Sequence, residues 1–198
     1  MTKSGWGNAD KGGAWTLSGV NTQFATNGSV GAMTATGPGN GSASYLPGVS
    51  AKDINYSLEV TVPRQSSGSG YYATLIGRHT TSGDYRLKLI FGSAGTIRLQ
   101  VSKLVANSET ALQTVAVNGV NYTGGSALRA RFVLNGATLS GSVWSTSGAE
   151  PRSPQLSTTD NTPALQSPGS VGLQSYVSSA ANSGAVTFTY NDLLVQPA

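Results

Sequence analysis

The chain has 198 residues, enough for one sizeable core and near the upper size of a β-sandwich, so residues 1–198 read as a single domain. Glycine, serine and threonine fill 74 of those positions, which disfavours helix, because glycine loses backbone entropy there and hydroxyls compete for backbone hydrogen bonds. Only 10% of residues are charged, the net charge of +4 contains no run of five basic residues, and cysteine is absent, so nucleic-acid binding, disulfides and thiolate chemistry all fall away.

No segment approaches the roughly 18 apolar residues of a membrane span, and Met1 leads into the polar run Thr2, Lys3, Ser4, so membrane insertion is not expected. In chain order, Trp6 and Trp15 are large aromatics expected to pin the N-terminal segment to the core. Gly37 to Gly41 reads as a turn. Asp53 to Val62 is the cleanest strand, with Ile54, Tyr56, Leu58, Val60 and Val62 alternating with polar residues. Tyr71 to Arg78 is the next strand, preceded by the small-residue loop Ser66 to Gly70. Tyr85, Leu87, Leu89 and Phe91, then Ile97, Leu99 and Val101, form the apolar faces of two strands joined at Gly92 to Gly95, a β-hairpin. That phase places Arg86, Lys88 and Arg98 together on the outer face.

Further strands are expected at Ala111 to Val117, Ala127 to Leu134, Thr138 to Ser145, Ser170 to Val177 and Ala185 to Val195. Ser147 to Pro168 holds four prolines, which lack the amide a ladder needs, and reads as a long connection. Many short strands separated by turn signals give an all-β, antiparallel two-sheet sandwich.

The chemistry of the familiar hydrolases is hard to find. Eight acidic residues contain no pair at i, i+2 or i+4, which gives no local sign of the two carboxylates that flank a glycosidic bond. A Ser-His-Asp arrangement would have to use His79, the only histidine, with Asp84, and no Gly-x-Ser-x-Gly turn presents a nucleophile, so His79 reads as a loop or rim residue. The chain is therefore expected not to be an enzyme and to require no cofactor. Calcium held by backbone carbonyls and one carboxylate is the metal reading left open, with Asp192 as the ligand.

Several segments together carry a resemblance. Gly5-Trp6-Gly7-Asn8-Ala9-Asp10 with Gly12-Gly13-Ala14-Trp15-Thr16, Gly77-Arg78 before Asp84-Tyr85-Arg86-Leu87, Thr96 to Gln100 after the glycine turn, Pro168 to Leu173, and Phe188 to Val195 resemble the concanavalin A-like lectin/glucanase (laminin-G-like) jelly-roll domains. The likeness is greatest to modules appended to actinobacterial secreted proteins and to phage minor tail proteins, and it covers nearly the whole chain. It implies a jelly roll with a concave face, on an extracellular or virion surface. The glycosidase members carry Glu-x-Asp-x-x-Glu on one strand, a motif this sequence lacks.

Sugar recognition needs flat apolar faces against the ring and planar polar groups for its hydroxyls. The candidates are Arg86, Arg98 and Gln100 beside Lys88 on the hairpin's outer face, Arg78 at the end of the preceding strand, Tyr71 and Tyr72 at its start, and Trp144, which alternates out of phase with Leu139 and Val143. The expected function is a carbohydrate-binding module for a polysaccharide or bacterial cell-wall glycan, within a larger secreted or phage tail protein. The alternative is a structural or adhesion domain that contacts parent-chain domains or further copies of itself. On this reading Arg86→Ala and Arg98→Ala leave folding intact.

Overall fold

The computed structural model describes residues 3–198. Its strands are β1 (Lys3–Ser4), β2 (Thr16–Ser18), β3 (Phe24–Thr26), β4 (Gly31–Ala35), β5 (Gly41–Ala51), β6 (Ile54–Thr61), β7 (Tyr71–Thr80), β8 (Gly83–Phe91), β9 (Ile97–Val105), β10 (Ser108–Val117), β11 (Ala127–Asn135), β12 (Thr138–Ser145), β13 (Leu156–Thr159), β14 (Gly169–Val177) and β15 (Val186–Pro197). They form an eight-stranded sheet in the order β1-β3-β4-β15-β6-β11-β12-β13 and a seven-stranded sheet in the order β10-β9-β8-β7-β14-β5-β2. Strand pairings in both are antiparallel, which gives a jelly-roll sandwich.

Alternation dictates what lies between the sheets. Ile54, Tyr56, Leu58 and Val60 of β6 point inward, as do Tyr85, Leu87, Leu89 and Phe91 of β8, and all are buried. Each such side chain contributes roughly 1.5–3 kcal/mol by leaving water. The hairpin of β8 and β9 pairs in the expected register, Leu87 with Val101 and Leu89 with Leu99. Trp6 packs edge-on against Trp15 and Phe24, with centroids 5.2 and 5.9 Å away, and donates its indole N–H to the Ala32 carbonyl. It pins the N-terminal segment as expected.

Strands β1 to β5 and β13 lie outside the sequence reading. β5 was not anticipated, because its inward positions Ser42 and Ser44 are small and polar and Pro47-Gly48 interrupts the pattern. The proline-rich connection contains the short strand β13, which closes one edge of the eight-stranded sheet.

The same connection is tied to the other sheet. The Asp160 carboxylate accepts from Lys103 Nζ at 2.7 Å, the Tyr85 hydroxyl at 2.7 Å and the Thr162 amide at 2.9 Å. Burial opposes the charge on Asp160, but these donors more than offset it and hold the carboxyl well below the usual carboxylate range.

Candidate functional site

The outer face of the seven-stranded sheet is a ladder of transverse rows. Register places Tyr176, Tyr72, Ile90 and Arg98 side by side in one row, and Gln174, Thr74, Lys88, Gln100 and Thr114 in the next. A third row runs Tyr45, Gly172, Ile76, Arg86, Ser102. The first two rows, with Arg86 and Glu109, line a cleft of about 690 Å³. Tyr72 and Tyr176 stand half-buried at one end, ring centroids 5.8 Å apart, and the Tyr72 hydroxyl donates to the Ser69 carbonyl. Ile90 and Thr74 form the floor, and Thr74 Oγ1 is buried there without a hydrogen-bond partner.

The polar wall is a chain of charges. Asp84 is fully buried and accepts from Arg86 Nε at 2.6 Å and from His79 Nδ1 at 2.9 Å. Arg86 reaches on to Glu109 at 3.4 Å, and Glu109 also accepts from Lys88 Nζ and Ser102 Oγ, both at 2.5 Å. Burial works to raise the Glu109 carboxyl, yet the bonds from Lys88 and Ser102 and the charges of Lys88 and Arg86 prevail and hold it below its ordinary value. Past this wall the Tyr45 ring stacks on the His79 imidazole at 4.0 Å. Gly172 allows this, since a Cβ there would lie 2.7 Å from the Tyr45 ring. Burial and the nearby Asp84 charge push the Tyr45 phenol up.

His79 is thus no loose rim residue. Strict alternation from Tyr71 would turn Arg78 outward and His79 into the core. A β-bulge at Gly77 to Thr80 inserts one residue, puts Arg78 at φ 51°, and exchanges the two. His79 emerges on the outer face beside Asp84. Arg78 becomes a fully buried clamp that donates to the carbonyls of Lys52 (2.6 Å), Gly136 (2.7 Å) and Leu165 (3.4 Å), to Gln166 Oε1 (3.4 Å) and to Asp53 Oδ1 (3.2 Å). It cannot reach a ligand.

Other expected site residues are likewise redistributed. Tyr71 is in phase with Ala73 and Leu75 and is buried in the core against Phe188, so only Tyr72 of the pair reaches the cleft. Arg86 lies on the outer face but is only 7% exposed and holds Asp84, which overturns the expectation that its removal spares folding. Arg98 is exposed in the cleft, and Gln100 donates to Thr114 Oγ1 at 2.9 Å.

Trp144 does point away from the core, but it belongs to the other sheet, 8% exposed, in a depression with Arg129, Arg131 and Asp192. Asp192 sits at a bulge in β15 at φ 48° and is bridged to Arg129 at 2.9 Å. Among the described residues no three His, Cys, Asp or Glu side chains gather around a point, and Asp192 itself is engaged by Arg129. Tyr45, Thr74, Gln174 and Tyr176 were missed. The signal for the last two was present, since Val171, Leu173 and Val177 point inward and leave Gln174 and Tyr176 outward.

No protein-family model matches the chain, and no curated protein matches its sequence. Solved structures do share the fold. The carbohydrate-binding module CBM66 from Bacillus subtilis superposes with a TM-score of 0.65 at 13% identity, over 92% of this chain and 94% of that one. A legume lectin-like domain from Entamoeba histolytica gives 0.61 at 12% identity, over 93% and 90%. A β-1,3-1,4-glucanase (lichenase) from a mouse hindgut metagenome gives 0.68 at 10% identity, over 100% and 99%. The fold is therefore the concanavalin A-like lectin/glucanase jelly roll that these structures share. The glucanase likeness corrects the expectation that the chain is not an enzyme, because an enzyme shares its architecture from end to end and the missing Glu-x-Asp-x-x-Glu strand does not by itself exclude catalysis.

Proposed function

We propose that the cleft on the seven-stranded sheet binds a polysaccharide, at a cell-wall or other extracellular surface. The observation that carries this reading is the meeting, on one transverse face, of the Tyr72 and Tyr176 rings with the hydroxyl, amide and cationic groups of Thr74, Gln174, Gln100 and Arg98. Tyrosine rings offer the apolar surface a sugar's C–H face needs, and the polar row offers partners for its hydroxyls. The cleft lies on the face of one sheet, so binding per site is weak and gains strength from several copies on one polymer. The carbohydrate-binding and lectin-like proteins of the same fold support this reading.

A second reading, turnover of the bound polymer, is favoured by His79. When its Nδ1–H donates to Asp84, the Nε2 lone pair is left without a partner among the described residues, which orients an imidazole for proton transfer next to the Tyr45 phenol. Asp84 and Glu109 are both held in ion pairs with Arg86, so a paired-carboxylate hydrolysis has less support.

The test is affinity electrophoresis against neutral and acidic plant, algal and bacterial polysaccharides, with soluble sugar release followed in parallel. Wild-type protein is retarded by at least one polymer, and Tyr72→Ala/Tyr176→Ala, still folded by circular dichroism, loses about tenfold or more in affinity. Retardation unchanged in the double variant would place the site elsewhere. Sugar release abolished by His79→Ala with binding intact would establish turnover.

A further inference from the structure

Resting on the cleft reading, we infer that the polysaccharide it takes is anionic, bearing an oxyanion on its sugar units. The cleft is lined by three cations, Arg86, Lys88 and Arg98, and one carboxylate, Glu109. That carboxylate is already engaged: one oxygen accepts from Lys88 and Ser102, the other from Arg86. The buried Asp84 behind the wall is occupied by Arg86 and His79. Four of these charges therefore balance as two cations and two anions, and Arg98 is left over.

Arg98 is exposed and joins none of the ion pairs among the described residues. Its guanidinium presents the planar fork that matches a carboxylate or sulfate with two parallel N–H bonds. Lys88 and Arg98 are diagonal neighbours on adjacent strands, since Lys88 pairs with Gln100 and Ile90 with Arg98. Lys88 makes one ion pair and has three donors.

A separate observation marks where on the cleft floor a ligand oxygen is received. Four buried side-chain oxygens lack a partner among the described residues, those of Ser42, Ser44, Thr74 and Ser183, and of these only Thr74 lines the cleft. It lies in the floor between Lys88 and Gln174, where a ligand oxygen admitted by a small movement of those longer side chains would satisfy it. The Thr74 hydroxyl can donate to a ligand oxygen of either kind, and the preference for an oxyanion comes from the unpaired Arg98 fork and the neighbouring Lys88.

Uronate carboxylates and sulfate esters share this chemistry, and the experiment separates them. Polygalacturonate, the same polymer with its carboxyls reduced, dextran sulfate and dextran are titrated at low and high NaCl against wild type, Arg98→Ala and Arg98→Lys. One charged polymer is expected to bind at least tenfold more tightly than its neutral counterpart, with affinity falling at high salt. Arg98→Ala removes most of that preference, and Arg98→Lys, which keeps the charge without the fork, restores only part of it. Preference for polygalacturonate assigns a carboxylate, and preference for dextran sulfate a sulfate ester. Equal, salt-insensitive binding of charged and neutral polymers, lost in the Tyr72→Ala/Tyr176→Ala variant, would overturn the anionic inference and leave the cleft reading standing. No binding of any of the four polymers overturns the inference, and failure across the wider panel overturns the cleft reading as well.

Discussion

Arg78→Met lowers the melting temperature by on the order of 10 °C, the largest loss expected from any single substitution in this chain. Arg78 is 0% exposed, and its guanidinium ties β7 to three separate segments: the turn before β6, the turn between β11 and β12, and the Pro163 to Gln166 turn. Its carbon atom also lies 5.6 Å above the Tyr85 ring, whose hydroxyl is bound to Asp160. Methionine keeps much of the volume but takes the donor from the Lys52, Gly136 and Leu165 carbonyls and from Gln166 Oε1, while Asp53 keeps the Gly136 amide. Losing this set of bonds around a fully buried side chain costs about 3–5 kcal/mol. Arg78→Lys supplies charge without the fork and recovers less than half of the loss. The check is thermal unfolding by calorimetry or circular dichroism; a shift of under about 3 °C would show that the clamp is dispensable.

Arg86→Ala is expected to destabilise by about 2–4 kcal/mol, because it leaves the fully buried Asp84 with His79 Nδ1–H as its remaining side-chain donor. The cost lies in the uncompensated carboxylate more than in the lost contacts, so Asp84→Asn combined with Arg86→Ala is more stable than Arg86→Ala alone. Urea unfolding of the three proteins gives the comparison. If the double variant is the least stable, the pair contributes through packing and not through charge compensation. Arg98→Ala, exposed and unpaired, changes stability by less than about 0.5 kcal/mol. The two arginines share a face in sequence and differ completely in role.

Local alternation made much of the sandwich legible. The strands at β6, β8, β9, β11 and β12 follow from a period of two, and Thr138–Ser145 forms over the expected residues. The errors have one physical origin, which is that alternation is relative. It assigns a face of a strand, but not the sheet the strand joins, nor where a bulge reverses the phase. Trp144 was placed on the correct face of its own strand, and only the strand order shows that this face is on the far side of the molecule from Arg98. Arg78 and His79 exchanged roles through one inserted residue at a bulge, a feature that no residue type in Gly77-Arg78-His79-Thr80 announces. The pairing of His79 with Asp84 was considered in sequence as part of a catalytic triad; the fold supplies that pairing and ties Arg86 to the same carboxylate, but among the described residues no serine hydroxyl bonds the other imidazole nitrogen. β5 was hidden because Ser42 and Ser44 occupy inward positions usually taken by larger apolar residues, and with it Tyr45 was lost from the site.

The most direct test of the cleft as a glycan site is a map of which amides respond to sugar. Isotope-labelled protein is titrated with a galacturonate hexamer and with cellohexaose, and backbone amide shifts are followed by NMR. The account predicts saturable shifts that cluster on Thr74, Lys88, Arg98, Gln174 and Tyr176 with the acidic oligosaccharide, while the amides of Arg129, Trp144 and Asp192 on the opposite sheet stay in place. Shifts confined to Arg129, Trp144 and Asp192, with the cleft amides unmoved, would contradict it.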